Sequence, residues 1–260
     1  MSIPIFVISF NRLKCLSSAI ESYHQTFGDQ VEIIICDNGS DFPPLLEFLC
    51  HSPNFVKKVY RNRKIKDVGD MVALIRGNIE DYFSKVGQSD YVVTDPDIVL
   101  EKVDGRMLDF YQHVLQTTDA AVVGPMLRID DIPEKYPKKR FVLEKHYDFF
   151  WSKVPETLEY KGIEYHALKT QIDTTFAMHR GDDVFGRLKQ GYRTYAPFMA
   201  RHVDWYVDWN DVSEDVDHYG KTAVSGVSHF SVPQSRVSVF IDGVRYKKQK
   251  FLRAFKSRFN

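Results

Sequence analysis

The first 125 residues alternate regularly between short apolar runs typical of buried strands and longer segments with helical spacing. The β-branched run 3–8 precedes the segment 12–27, in which Leu13, Leu16 and Ile20 share one helical face. The same patterns predict further strands at 31–36, 55–60, 91–94 and 120–123, and further helices at 44–50, 68–83 and 103–115. Because helices connect the strands, we expect an α/β fold with a mostly parallel sheet and helices on both faces.

The pattern loosens after residue 125, although no linker separates a second unit. Pro133 and Pro137, with basic residues at 138–140, predict a loop. Strand-like pieces follow at 165–180 and 193–200, and a short acidic helix fits 211–219. We therefore expect one domain over residues 1–244, in which residues 126–244 complete a site that begins in residues 1–125.

Polar side chains follow four of the predicted strands, each at the point where the strand ends. They are Ser9, Asn11 and Arg12 after the first strand, 37–40 after the second, 61–62 after the third and 95–97 after the fourth. In open parallel sheets, ligands bind beyond the carboxyl ends of the strands. These side chains are therefore expected to converge on one ligand site.

Asp95 and Asp97 flank a proline directly after the fourth strand. Two anions this close repel each other unless a cation lies between them. Oxygen ligands favour Mg²⁺ or Mn²⁺, which keep coordination positions open for phosphate oxygens. The alternative is a turn in which the carboxylates only cap the next helix.

Three motifs in this order resemble glycosyltransferases of the GT-A fold, family 2 type. Ile8-Ser9-Phe10-Asn11-Arg12 resembles the end of the family's first strand, Asp37-Asn38-Gly39-Ser40 resembles its nucleotide-binding turn, and Asp95-Pro96-Asp97 resembles its metal motif. The resemblance implies a Rossmann-like nucleotide-binding half (1–125), an acceptor half (126–244), a nucleoside-diphosphate sugar donor and Mn²⁺ or Mg²⁺. It also implies nucleotide-sugar contacts by Ser9, Asn11, Arg12, Asp37, Asn38, Arg76 and Asp95.

Three of these residues have simpler explanations in the sequence. Asn11 is also suited to capping the helix 12–27, Asp37 to shaping a turn, and Arg76 to a solvated helix surface. The helix around Arg76 also lacks the first Asn of the family pattern. These alternatives stay open at the sequence level.

The second half offers candidates for the sugar wall, the base and a third metal ligand. Polar and aromatic residues interleave, as in sugar sites; the wall candidates are Thr174, His202, Trp205 and Tyr206. An inverting transferase needs a carboxylate base, for which Asp204 is the first candidate and Asp173 the second. The family's usual Glu-Asp pair is absent. His229, or alternatively His202, is the candidate third ligand of the metal held by Asp95 and Asp97.

Overall charge and cysteine content exclude several classes of protein. Lys and Arg total 35, as do Asp and Glu, so no global field favours nucleic acid. Three cysteines without CxxC spacing argue against a disulfide framework or a structural zinc site. With neither a signal-peptide pattern nor a membrane-spanning apolar run, a cytoplasmic location is expected.

The basic C-terminal segment 245–260 has seven Lys or Arg and no acid. Phe251, Phe255 and Phe259 recur every four residues, which predicts an amphipathic helix. Such a helix suits contact with the inner face of a membrane, where a lipid-linked acceptor would lie. Packing of the Phe stripe on the domain is the alternative.

Two other function classes fit parts of the sequence. A haloacid-dehalogenase-type phosphatase would use Asp95 as nucleophile and Asp97 as acid, with Lys169 and 182–183 as later motifs. That motif normally ends the first strand of the core, whereas three strands precede it here. A non-catalytic nucleotide- or sugar-binding module is the other alternative, because the signal for a base is weak.

Overall fold

A computed structural model describes residues 2–224 of the chain. Within them the strands are β1 (Ile3–Ser9), β2 (Val31–Asp37), β3 (Val56–Arg61), β4 (Tyr91–Thr94), β5 (Ile98–Val99), β6 (Val122–Leu127), β7 (Glu156–Tyr160), β8 (Ile163–Ile172), β9 (Ala177–His179) and β10 (Lys189–His202). The α-helices are α1 (Leu13–Phe27), α2 (Pro43–Cys50), α3 (Val68–Val86), α4 (Met107–Thr117), α5 (Lys139–His146) and α6 (Glu214–Thr222).

One sheet with the strand order β3-β2-β1-β4-β9-β6-β10-β8-β7 forms the centre of the fold, and β5 pairs with the end of β10. The pairs β3–β2, β2–β1, β1–β4 and β6–β10 are parallel. Strand β9 lies antiparallel between β4 and β6, so these two also point the same way. The predicted α/β class with a mostly parallel sheet is confirmed. The antiparallel strands are β9, which is inserted between β4 and β6, and β8 and β5, which both pair with β10.

Helices cover both faces of this sheet, as predicted. Alternate residues of a strand point to opposite faces, and β1 is buried along its whole length. Ile5 and Val7 pack with Leu16 of α1 in one core cluster, whereas Phe6 packs with Ile75 of α3 in a second cluster. Each such side chain contributes roughly 1.5–3 kcal/mol through burial.

Two predicted boundaries differ from the structure in ways that local contacts explain. The predicted loop around 138–140 ends early, because Lys138 is buried and α5 begins at Lys139. Helix α4 begins at Met107 rather than at 103, because the Asp104 side chain accepts a hydrogen bond from the Arg106 backbone N–H at 2.9 Å in a preceding turn. Among residues 2–224, no helix is both long and apolar enough to span a bilayer.

Candidate active site

The Asp-Pro-Asp turn leaves β4 near the middle of the sheet and is held from two sides. The Asp95 N–H donates to the Thr174 carbonyl at 2.8 Å, and the Thr174 hydroxyl donates to Asp95 Oδ2 at 2.7 Å. On the other side, the Tyr23 hydroxyl of α1 donates to the Ile98 carbonyl at 2.5 Å. The turn therefore has a fixed geometry in which Asp95 is partly buried and Asp97 is buried.

A short antiparallel pairing brings Asp97 against the end of β10. Ile98 of β5 lies opposite His202, and the Val203 N–H donates to the Asp97 carbonyl at 2.8 Å. The 3₁₀ turn that follows β10 carries Asp204. As a result, ligand atoms of Asp97, His202 and Asp204 all lie within 4.8 Å of one another.

Burial and neighbouring charges set the ionisation of this group. Burial and the charge of Asp97 raise the pKa of Asp95 to about 7. Burial alone would raise the pKa of Asp97, but His202 and Arg12 outweigh it and hold that pKa below its usual value. Burial lowers the pKa of His202, despite the nearby Asp97 charge. This direction favours the neutral imidazole, which is the form that binds a metal ion.

Arg12, which follows β1, contacts both acids of the group. Its guanidinium donates to Asp97 Oδ2 at 2.7 Å, to Asp204 Oδ1, and to the Cys15 sulfur at 3.1 Å. The ring of Tyr219 in α6 lies 5.1 Å from the guanidinium carbon. Because Arg12 and both acids are almost fully buried, solvent screens these ion pairs poorly.

The donor set fits a hard divalent ion with some affinity for nitrogen, such as Mn²⁺. Asp97 Oδ1 is buried and has no hydrogen-bond partner among the residues that the structure describes. A buried carboxylate oxygen in that position is normally satisfied by a donor or a cation. Asp97 is thus a ligand candidate in both sequence and structure, and His202, predicted for the sugar wall and as the alternative third ligand, joins it. His229 lies outside the described residues.

A cleft of about 220 Å³ opens in front of these groups. It combines residues that follow β1, β2, β4 and β10, as the convergence at strand ends predicted. Its polar lining is Ser9, Arg12, Asn38, Asp95, Asp97, Lys145, Asp173, Arg187, His202, Asp204 and Tyr219. Three of these side chains are cationic and four are carboxylic acids, so the lining offers groups for both a cation and an anion.

The turn after β2 is rigid, and its carboxylate is directed inward. Asp37 is fully buried, accepts hydrogen bonds from the Ser40 hydroxyl and N–H, and pairs with Arg61 at 3.1 Å. Burial raises the pKa of Asp37, although the bonds from Ser40 and the charge of Arg61 act in the opposite direction. Asn38 and Ser9 line the cleft beside it. Asp37 therefore shapes this turn, whatever further contact it makes.

Asn11 binds neighbouring loops and does not cap α1. Its side-chain oxygen accepts from the N–H groups of Asp41 and Phe42 at 2.9 and 3.0 Å, and its amide donates to Thr222 of α6 at 3.0 Å. The start of α1 is instead satisfied by Asp215, which accepts from the Lys14 N–H at 2.9 Å. The capping alternative for Asn11 is wrong, because a residue of α6 supplies that acceptor.

Four further predicted site residues lie away from the cleft surface. Arg76 of α3 donates to the Phe185 carbonyl at 2.9 Å and lines a separate depression. Trp205 is only 1% exposed and stacks behind His202 with ring centres 4.8 Å apart. Tyr206 donates to Asp131, away from the carboxylate group. Thr174 is buried beneath Asp95, so of the predicted wall only His202 lines the cleft.

Sequence reasoning missed Lys145, Arg187 and Tyr219, which the fold brings to the cleft. Arg187 lies in an irregular segment before β10, and its charge acts on both Asp95 and Asp173. Tyr219 comes from the acidic helix that was predicted without a role. No local motif marks these positions, because their placement depends on packing between distant parts of the chain.

No family model matches the sequence, and no curated protein sequence matches it. The fold does resemble solved structures, at low identity. A structure of S. aureus TarS (residues 1–349) aligns over 89% of this chain and 68% of that one, at 9% identity and a TM-score of 0.44.

Two further structural neighbours share shorter segments. TarS in complex with UDP-GlcNAc aligns over 53% of this chain at 12% identity and a TM-score of 0.36. A mannosyltransferase from Pyrobaculum calidifontis, in complex with GDP-Man and Mn²⁺, aligns over 50% at 12% identity and a TM-score of 0.35. These alignments span 38% and 36% of those chains. One of these two neighbours is a mannosyltransferase, and both were solved with a nucleotide sugar.

Proposed function

We propose that this protein is a metal-dependent glycosyltransferase that moves a sugar from a nucleoside-diphosphate sugar to an acceptor hydroxyl. The observation that carries the proposal is the buried group Asp97, His202 and Asp204, with ligand atoms within 4.8 Å. It stands beside Asp95 at the strand ends, in the cleft that Ser9 and Asn38 also line. A metal-ligand group next to a nucleotide-type turn suits a diphosphate leaving group.

Asp97, His202 and Asp204 would hold the ion, with Asp95 at its edge. When bound, Mn²⁺ or Mg²⁺ would neutralise charge on the diphosphate as it leaves. Arg187 and Lys145 line the same cleft and add positive charge for phosphate oxygens.

Asp173 is the better placed of the two candidate bases. Its side chain is 47% exposed, whereas that of Asp204 is 1% exposed and is paired with Arg12. Although burial raises the pKa of Asp173, Arg193 and Thr175 outweigh it and hold that pKa below its usual value, so the carboxylate is ionised. As the acceptor oxygen bonds to the anomeric carbon and the bond to the diphosphate breaks, Asp173 would take the hydroxyl proton. The anomeric configuration would then be inverted.

The donor nucleotide and the acceptor are assigned by the sequence resemblance. A UDP-sugar is the favoured donor, and the acceptor would be a glycan or a lipid-linked glycan. A cytoplasmic site of action with membrane contact through 245–260 belongs to the same proposal, and that segment lies outside the described residues.

The phosphatase alternative loses its supporting residues in the fold. Lys169 of β8 forms an ion pair with Asp119 at 2.8 Å and does not line the cleft. Asp183 pairs with Lys189 and does not line the cleft that contains Asp95. A phosphatase of that type needs a cation and a second acid beside its nucleophile, and these residues do not supply them.

Thermal denaturation with a panel of nucleoside diphosphates, with and without Mn²⁺, tests the proposal. A ligand at 100 times its Kd adds about 2.7 kcal/mol, or roughly 5–10 °C for a chain of this size. We expect one diphosphate to give this shift only with Mn²⁺, and Asp95→Ala/Asp97→Ala to abolish it.

The exposed pair Asp29→Ala/Asp182→Ala is the matched control and should keep the full shift. Absence of any diphosphate shift in folded wild-type protein would contradict the proposal. Binding without turnover of the matching nucleotide sugar, across a panel of glycan acceptors, would favour the non-catalytic module.

A further inference from the structure

Arg12 is paired with Asp97 and Asp204, the same two carboxylates that would bind the divalent ion. Its two terminal nitrogens donate to one oxygen of each acid, at 2.7 Å for Asp97. The same two acids, with His202, form the group whose ligand atoms lie within 4.8 Å. This inference rests on the metal site of the proposed function.

The Arg12 guanidinium and a divalent ion repel each other strongly if both bind to these two carboxylates. Arg12 is 4% exposed, so its repulsion of a divalent ion a few ångströms away is weakly screened. The unpartnered Asp97 Oδ1 remains available to an ion, but the charge that attracts the ion is already half neutralised. One guanidinium offsets one of the two ion-paired carboxylates.

We infer that Arg12 is an internal competitor of the divalent ion, so that the metal binds strongly only together with the donor diphosphate. The diphosphate would lie in the cleft that Arg12 lines, and its negative charge would accept hydrogen bonds from the guanidinium. When Arg12 donates to phosphate oxygens, Asp97 and Asp204 become available to the ion. Metal and nucleotide then strengthen each other's binding, by reciprocal coupling.

A purely structural role for Arg12 predicts the opposite result. If Arg12 only held the two acids at a fixed separation, its removal would let them move apart and would weaken metal binding. Competition predicts that its removal strengthens metal binding. The sign of the change in Mn²⁺ affinity therefore separates the two roles.

The test is titration of Mn²⁺ into full-length protein, followed by calorimetry and by the electron paramagnetic resonance signal of free Mn²⁺. Proteins are wild type, Arg12→Gln, Arg12→Met and the control Arg106→Gln, which loses an exposed pair with Asp104. We expect Arg12→Gln to bind Mn²⁺ alone at least tenfold more tightly than wild type, and Arg106→Gln to be unchanged. UDP should tighten Mn²⁺ binding in wild type by a larger factor than in Arg12→Gln.

Unchanged or weaker Mn²⁺ binding by folded Arg12→Gln, with wild type binding Mn²⁺, would overturn this inference and leave the proposed function standing. Absence of Mn²⁺ binding by wild type and both Arg12 variants, with and without UDP, would remove the metal site and both proposals. If Arg12→Gln does not melt cooperatively, Arg12→Met is decisive. It also removes the positive charge and fills similar space, so tighter Mn²⁺ binding is expected, and no tightening would overturn the inference.

Discussion

Replacing Asp95 with Asn should make the protein more stable at pH 8 while it removes the response to Mn²⁺. The pKa of Asp95 is raised from 3.8 to about 7 in the folded protein. Between these two pH values the folded state therefore keeps a proton that the unfolded state has lost. The free energy of unfolding therefore falls as pH rises from about 4 to about 7. At about 1.4 kcal/mol per pH unit, this carboxyl costs about 4 kcal/mol above pH 7.

The assay is urea unfolding of wild type and Asp95→Asn between pH 5 and 8 with a metal chelator. Asn keeps the size of the side chain and an oxygen that can accept the hydrogen bond from Thr174. The stability advantage of the variant should grow by about 3 kcal/mol between pH 5 and pH 8. The exposed control Asp29→Asn should show no comparable trend. A variant less stable than wild type at pH 8, or an advantage independent of pH, would refute the reasoning.

Three further results are expected. Mn²⁺ should stabilise wild type more strongly at pH 8 than at pH 6, as thermal melts would show, because Asp95 must lose its proton near pH 7; an equal shift at both pH values would contradict this. Gly39→Ala should cost at least about 2 kcal/mol in urea unfolding, since φ is +79° and the new Cβ would meet the Lys64 backbone at 2.3 Å, whereas Gly28→Ala, with open space at φ +53°, should cost about 1–2 kcal/mol. Equal costs would show that the close approach is unimportant. Phe198→Ala should cost about 3–5 kcal/mol, because the ring is fully buried against Phe110; a loss under about 1 kcal/mol would argue against this core.

The first half of the fold was predictable because its signals are local. Each buried strand in residues 3–94 is a continuous apolar run, and the helices between the strands have apolar residues at helical spacing. The type of each element and its order along the chain could therefore be predicted directly. The parallel topology then predicted that Ser9, Asn38, Asp95 and Asp97 would meet, and the cleft contains all four.

The rest of the site depends on information that no window of sequence contains. The place of His202 in the carboxylate group follows from the pairing of β5 with β10, and β5 has only two residues. Trp205 of the following 3₁₀ turn stacks behind His202, the last residue of β10, so only the imidazole lines the cleft. Arg76 was carried over by resemblance, but its helix position directs it to the Phe185 carbonyl.

Helix α6 also determines when the site can be completed during synthesis. Asp215 supplies the acceptor for the Lys14 N–H, Thr222 accepts from Asn11, and His218 contacts Asp41 at 2.8 Å, across about 200 residues of sequence. The first two strands and α1 therefore leave the ribosome long before their partner does. A nascent chain that ends before Glu214 can form β1–β4 but lacks the acceptor for the start of α1. The cleft is therefore expected to be completed only after α6 emerges, which a force-profile measurement on stalled chains would detect as a late step.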